Sequence, residues 1–146
     1  MIVVFPEQVI YRYLRVGKRA LAEVFRKFGQ NDHLMIIIMV TKIQSFYSRM
    51  SSANLEYKRM FLATCSEEGS ISTEDLRRAV QMVKGSGKQI KLVSDREIDF
   101  RAAEALGASF ILLGNKSTTS QISTTVKDLT LLPNILGLNQ TTINKR

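Results

Sequence analysis

The apolar residues of this chain recur in two patterns, one typical of strands and the other of helices. Met1–Phe5 is a continuous apolar run rich in β-branched residues, which predicts a buried strand ended by Pro6. Between Val9 and Phe28, apolar residues recur with the helical period of 3.6, and Gly29 follows as an expected C-cap. The apolar face of this predicted helix comprises Ile10, Tyr13, Leu14, Leu21, Val24, Phe25 and Phe28.

The segment after this helix fits two interpretations. Leu34–Val40 reads as a central strand that leads into a helix, but His33–Met50 also reads as one helix, since methionine-rich apolar runs suit both. We favour the strand followed by a helix. A further helix is predicted over Leu55–Cys65.

The second half of the chain alternates helices and strands. Ser72, with Asp75 three residues later, is a variant capping box that opens a helix. The predicted order is a helix from Ser72 to Val83, a strand over Ile90–Val93, a helix over Arg96–Leu106 ended by Gly107, and a strand over Ser109–Leu113. A strand–helix–strand unit implies a parallel crossover. We therefore predict an α/β fold with a mainly parallel central sheet flanked by helices, forming one domain over residues 1–136, with a flexible tail over 137–146.

Composition narrows the expected surroundings and partners. The chain has 21 Lys and Arg against 13 Asp and Glu, a formal net charge of +8, which favours a polyanion such as RNA or an acidic protein as partner. The single cysteine, Cys65, cannot form an internal disulfide, so we expect a reducing, cytoplasmic location. The longest apolar run, Leu34–Val40, is too short to span a bilayer, so no membrane partner is expected.

One candidate binding surface is a row of basic residues on the first helix. Arg12, Arg15, Arg19 and Arg26 fall within about 60° of one another on an ideal helix, opposite the apolar face. Guanidinium groups bind phosphates in bidentate fashion, and Lys18 and Lys27 add charge nearby. The alternative is a solvated helix face, in which Glu23 pairs with Arg19 and Arg26.

A second candidate site is acidic. Asp95 and Asp99 follow the predicted strand Ile90–Val93, and Asp75 is placed to reach the same edge. Ligands of parallel α/β sheets bind at the carboxyl ends of the strands, where aspartates hold Mg²⁺ or Mn²⁺. No other cofactor is expected. The alternative is structural: Asp95 caps the next helix, and Asp99 pairs with Arg96 or Arg101.

The order and length of the chain resemble those of PIN-domain ribonucleases. The residues that carry the resemblance are Met1–Phe5, Val9-Ile10, Ser72–Asp75 and Leu92–Ile98. It implies acids gathered around a metal that activates water. The first-strand acid of that family falls at Pro6 here, and its helix acid falls near Gln44.

Residues 93–107 are similar to the last motif of haloacid-dehalogenase-type phosphatases. The segment Val93–Ala103, together with Ala105 and Gly107, carries the likeness. In that family the nucleophilic aspartate would fall at Pro6 and the general acid at Gln8. Without a nucleophile, no phospho-aspartate forms.

Other segments resemble the small tRNA-binding subunit of the KEOPS tRNA-modification complex. These are Phe5–Glu7, Arg49–Leu55 and the helix after Ile71. The resemblance implies a non-catalytic protein that binds tRNA and takes part in tRNA processing.

In both enzyme families that the chain resembles, an essential acid falls at the position of Pro6. The sequence therefore favours a Rossmann-like scaffold that binds a partner and does not catalyse a reaction. Our first hypothesis is a non-catalytic RNA-binding or RNA-processing accessory domain that contacts phosphates through its basic N-terminal helix. The second is a metal-dependent hydrolase, nuclease or phosphatase, that uses Asp75, Asp95 and Asp99. The third is a protein-interaction subunit whose basic face meets an acidic partner.

Overall fold

The computed structural model of the protein describes residues 1–30, 33–40, 42–53, 60–64, 71–83, 89–114, 122, 124–127 and 129–137. The strands are β1 (Ile2–Pro6), β2 (Leu34–Met39), β3 (Met60–Thr64), β4 (Ile90–Ser94), β5 (Ser109–Leu113) and β6 (Thr125–Val126). The helices are α1 (Glu7–Val16), α2 (Lys18–Gln30), α3 (Ile43–Ser52), α4 (Thr73–Met82), α5 (Phe100–Ala105) and α6 (Leu132–Ile135). Short 3₁₀ turns at Glu97–Asp99 and Leu129–Leu131 precede α5 and α6.

The six strands form one parallel sheet in the order β3-β2-β1-β4-β5-β6. This confirms the predicted α/β class and gives the protein a Rossmann-like fold. The strand order reverses between β1 and β4, and that reversal places the carboxyl ends of these two strands at the point where ligands of such sheets bind.

Strand β1 is buried on both faces of the sheet, since its successive side chains point to opposite sides and each side is covered by helices. Val3 and Phe5 of β1 pack into a cluster with side chains of α1, α2, α3 and α6. Ile2 and Val4 pack into a second cluster with side chains of α4 and α5. We call the first group of helices the basic layer and the second, with the Glu97–Asp99 turn, the opposite layer.

Several sequence predictions are confirmed. The segment after the first helical region is a strand followed by a helix, β2 and α3, and not one helix. The Ser72 hydroxyl caps α4 by accepting a hydrogen bond from the Asp75 N–H at 3.0 Å. Gly107 ends the α5 region with a φ of 69°, a left-handed conformation that glycine adopts without strain.

The first helical region differs from the single helix predicted over Val9–Phe28. It consists of α1 and α2, which are separated at Gly17. Hydrogen bonds continue on both sides of the break, since the Gly17 N–H donates to Tyr13 O at 2.9 Å and the Leu21 N–H donates to Gly17 O at 3.0 Å. Gly29 is not the C-cap, because α2 continues through Gln30.

The helix predicted over Leu55–Cys65 is wrong for the part that the structure describes. Met60–Thr64 is strand β3, paired with β2 along its whole length. Tertiary pairing therefore overrides a helical pattern that includes the good helix formers Met60, Leu62 and Ala63. The pairing of Thr125 and Val126 as β6 had no sequence signal, because two residues are too few to show a period.

The end of the chain lies largely outside the described residues. Of the predicted tail, only Gly137 is described, so its flexibility stays a prediction. Within the described segments, no helix combines the length and apolar character needed to cross a bilayer.

Candidate nucleic-acid interface

Charge is segregated between the two helical layers. The helices of the basic layer carry seven Lys and Arg residues against two acidic ones, Glu7 and Glu23. The opposite layer carries three arginines against five acidic residues. The net positive charge of these helices therefore lies on one face of the sheet.

The predicted arginine row lies on this basic layer, but two of its members are paired with carboxylates. Arg12 Nη1 lies 3.3 Å from Asp95 Oδ2. Arg26 pairs with Glu23 through both Nη2 and Nε, the latter at 3.1 Å from Glu23 Oε2. Glu23 therefore pairs with Arg26, as the alternative interpretation expected, and not with Arg19.

The other two members of the row and the neighbouring Lys18 are available to a ligand. Arg15, Lys18 and Arg19 are exposed, and none of them has a carboxylate partner within the part of the chain that the structure describes. Lys27, which completes the predicted set of six basic residues, is half-buried in the last turn of α2. The unpaired charge is thus concentrated around the break at Gly17.

The electrostatics of the exposed pair favour its persistence. The hydrogen bond from Arg26 lowers the pKa of the Glu23 carboxyl below its ordinary value of 4.5. The same bond raises the pKa of the Arg26 guanidinium. Both groups therefore stay charged under mildly acidic conditions, and Glu23 neutralises Arg26 across that range.

An open groove of about 470 Å³ lies between α1 and α3 on the basic layer. It is lined by Tyr11, Leu14, Arg15, Ser48, Arg49, Ser52 and Ala53. The Arg49 guanidinium lies 4.0 Å from the centre of the Tyr11 ring, a cation–π contact. Tyr11 in turn packs against the buried ring of Phe46, with 6.0 Å between ring centres.

Sequence reasoning did not identify Arg49 as a site residue. Arg49 lies near Arg15 because Phe46 and Met50 of α3 pack into the same core cluster as Val9 and Tyr13 of α1. That packing is a tertiary relationship, and no spacing along the chain expresses it.

The acidic edge is occupied by contacts within the protein. Asp95 follows β4 and accepts hydrogen bonds from Gln8 Nε2 at 3.2 Å and from Arg12 Nη1 at 3.3 Å. It does not cap the following turn, whose N-cap residue is Arg96. Asp95 therefore joins α1 to β4 across the point where the strand order reverses.

Asp99 is fully buried and is held by three partners. Its carboxylate accepts hydrogen bonds from the Ile71 N–H at 2.8 Å, from Ser94 Oγ at 2.6 Å and from Arg96 Nη2 at 3.0 Å. The structural alternative, in which Asp99 pairs with Arg96, is thus found. The carboxylate connects the end of β4 to the chain that enters α4.

The three predicted metal ligands do not converge. Asp75 is buried on α4, where it pairs with Arg78. Across the described residues, no three His, Cys, Asp or Glu side chains form a group able to hold a metal ion, and this includes Asp75, Asp95 and Asp99. The structure therefore provides no geometric support for the metal site that the sequence suggested.

A carboxylate that sequence reasoning missed lies at the end of β1. Glu7, between Pro6 and Gln8, is only 4% exposed, and its Oε1 accepts a hydrogen bond from the Val40 N–H. It links the first residue of α1 to the residue after β2. The sequence signal that could have identified Glu7 was its position as the first ionisable residue after an apolar strand.

Comparisons with known proteins assign no family. No family model matches the chain, and no curated protein matches its sequence. The assignment that the structure supports is therefore at the level of fold and surface: a Rossmann-like domain with one basic helical face.

Proposed function

We propose that this protein is a non-catalytic RNA-binding domain, an accessory to RNA processing or modification, that contacts phosphates through its basic layer. The observation that carries the proposal is the charge segregation: seven basic against two acidic residues on one layer, and three against five on the other. A surface that served solubility alone would have no reason to divide its charges between two faces.

The acidic residues support a binding role over a catalytic one. Glu7, Asp95 and Asp99 each accept hydrogen bonds from the protein's own backbone or side chains. Asp75 is buried and paired with Arg78. Each of these carboxylates already has a partner within the protein. A binding function that uses the basic residues therefore requires fewer assumptions than a catalytic function that uses these acids.

A charge-reversal experiment tests the proposal. The double variant Arg15→Glu/Arg19→Glu should fold and should lose binding to both an unstructured single-stranded RNA and a folded tRNA. A control is Arg77→Glu/Arg101→Glu, which changes the formal charge equally on the exposed surface of the opposite layer and also removes the ion pair of Arg77 with Glu74. The control should retain most of the affinity.

Two results would overturn the proposal. Equal loss of affinity in both double variants would mean that net charge, and not the basic layer, governs binding. Hydrolysis of RNA by the pure protein with Mg²⁺ or Mn²⁺, abolished by Asp95→Asn, would instead favour the hydrolase hypothesis. Comparison of the two RNAs also tests the tRNA role, since a tRNA-specific protein should prefer the folded molecule.

A further inference from the structure

We propose that the groove between α1 and α3 is a phosphate-binding subsite for one nucleotide of the bound RNA, with Arg15 and Arg49 as its phosphate ligands. This inference rests on the RNA-binding function proposed above and gives it a particular location. Tyr11 is a positioning residue in this subsite, because it holds the guanidinium of Arg49.

The composition of the groove fits a nucleotide. Its volume of about 470 Å³ lies within the range typical of small-ligand sites, about 300 to 1,000 Å³. Two guanidiniums, from Arg15 on α1 and Arg49 on α3, supply charge-assisted donors for a phosphate. The hydroxyls of Ser48 and Ser52 add donors and acceptors suited to phosphate or ribose oxygens.

The Arg49 guanidinium is in contact with an aromatic ring of the protein itself. The guanidinium lies on the Tyr11 ring, and that ring packs against Phe46, which is fully buried. A long side chain normally loses rotamer freedom when it binds, and a side chain already held loses less. Arg49 should therefore contribute more to phosphate binding than a mobile surface arginine would.

Arg49 is also suited to contact a base. Guanidinium planes stack on the unpaired bases of single-stranded RNA, and aromatic rings do the same. A base placed against Arg49 would lie on the opposite side of the guanidinium from the Tyr11 ring. This arrangement favours a single-stranded segment over a regular RNA duplex, whose bases are stacked on one another.

Variants of two residues that line the groove test this subsite. Arg49→Gln should weaken binding of a labelled single-stranded RNA by roughly tenfold or more, the loss expected for a charge-assisted contact. Tyr11→Leu should weaken it about threefold by releasing Arg49. Tyr11→Phe, which keeps the ring, should bind like the unaltered protein.

A steric pair of variants separates the groove from the surface around it. Ser52→Leu fills the groove, and its control Ser51→Leu places the same side chain at the adjacent exposed position, which does not line the groove. The first should weaken RNA binding severalfold, and the second should leave it unchanged. Circular dichroism and thermal melting would verify that each variant is folded.

The outcomes distinguish this inference from the proposed function. If Arg15→Glu/Arg19→Glu abolishes RNA binding but Arg49→Gln and Ser52→Leu have no effect, the function stands and the subsite is refuted. If the protein binds no RNA, titration with AMP and with inorganic phosphate, followed by NMR, decides the matter. Shifts at Arg49 and Tyr11 with AMP would then establish the subsite without the RNA function. Their absence would refute both.

Discussion

Arg12 Nη1 lies 3.3 Å from Asp95 Oδ2, and this contact joins the exposed side of α1 to the turn after β4. Each residue belongs to a different candidate site in the sequence, Arg12 to the phosphate-binding row and Asp95 to the metal-binding set. In the structure each neutralises the other. The pair therefore removes one arginine from the binding row and one carboxylate from the metal site.

Releasing Arg12 from this pair should strengthen RNA binding. We expect Asp95→Asn to raise RNA affinity about two- to threefold, and to change the free energy of unfolding by less than about 1 kcal/mol, since the pair is partly exposed. Fluorescence anisotropy at low salt measures the affinity. Glu104→Gln makes the same charge change on the opposite layer and should have no effect. Weaker binding in Asp95→Asn would contradict this account of the pair.

Asp99 should prove essential for stability and not for ligand binding. Asp99→Asn replaces an oxygen acceptor of Ser94 and Arg96 in a fully buried position. We expect the free energy of unfolding to fall by roughly 2 to 4 kcal/mol. Chemical denaturation measures this, with Asp95→Asn as the partly exposed comparison. A variant as stable as the unaltered protein would show that the hydrogen bonds of Asp99 contribute little.

Gly17 separates α1 from α2 and should not tolerate a side chain. A Cβ at this position would lie 2.9 Å from Cδ1 of the buried Tyr13 ring. We expect Gly17→Ala to destabilise the protein by about 1 to 3 kcal/mol, although alanine favours helices. In a double-mutant cycle, Gly17→Ala should cost much less stability in the Tyr13→Leu background than in the unaltered protein. A gain in stability for Gly17→Ala would mean that helix propensity outweighs the clash.

The helix break and strand β3 show what the sequence could and could not predict. The apolar periodicity of Val9–Phe28 correctly identified most of the buried face, because Ile10, Tyr13 and Phe28 are all in the core. It did not reveal the break at Gly17. Met60–Thr64 is a strand because it pairs with β2, and that pairing leaves no local signature.

The candidate site divides in the same way. Helical spacing predicted that Arg15 and Arg19 share a face, and the structure places them on α1 and α2 of the basic layer, on either side of the break at Gly17. The pairing of Arg12 with Asp95 joins residues 83 positions apart in the chain. The contact between Arg49 and Tyr11 likewise depends on how α3 packs beside α1. Spacing along the chain therefore predicts candidate residues, and tertiary packing decides which of them remain available.

Glu23 should weaken RNA binding because it pairs with Arg26. Glu23→Gln frees Arg26, and we expect RNA affinity to rise about two- to threefold at low salt. Because Arg26 lowers the pKa of Glu23 below 4.5, the carboxylate remains charged as the pH falls from 7 to 5. Acidification over this range should therefore not reproduce the gain through Glu23. If the unaltered protein binds RNA more tightly at pH 5 than at pH 7 and Glu23→Gln does not, the lowered pKa of Glu23 is contradicted.

The dependence of binding on salt should separate RNA from an acidic protein as the partner of the basic layer. Arg15, Lys18, Arg19 and Arg49 have no carboxylate partner among the described residues, so about four phosphates are available for neutralisation. Each phosphate neutralised on a single strand contributes about −0.7 to the slope of log affinity against log salt, so the total should be about −3. Arg15→Glu/Arg19→Glu should make the residual slope smaller by about 1.4 if any binding remains. An acidic protein weakens through ordinary screening, with a gentler dependence. A slope near zero, or no RNA binding at low salt, would exclude the phosphate contacts on which the proposed function depends.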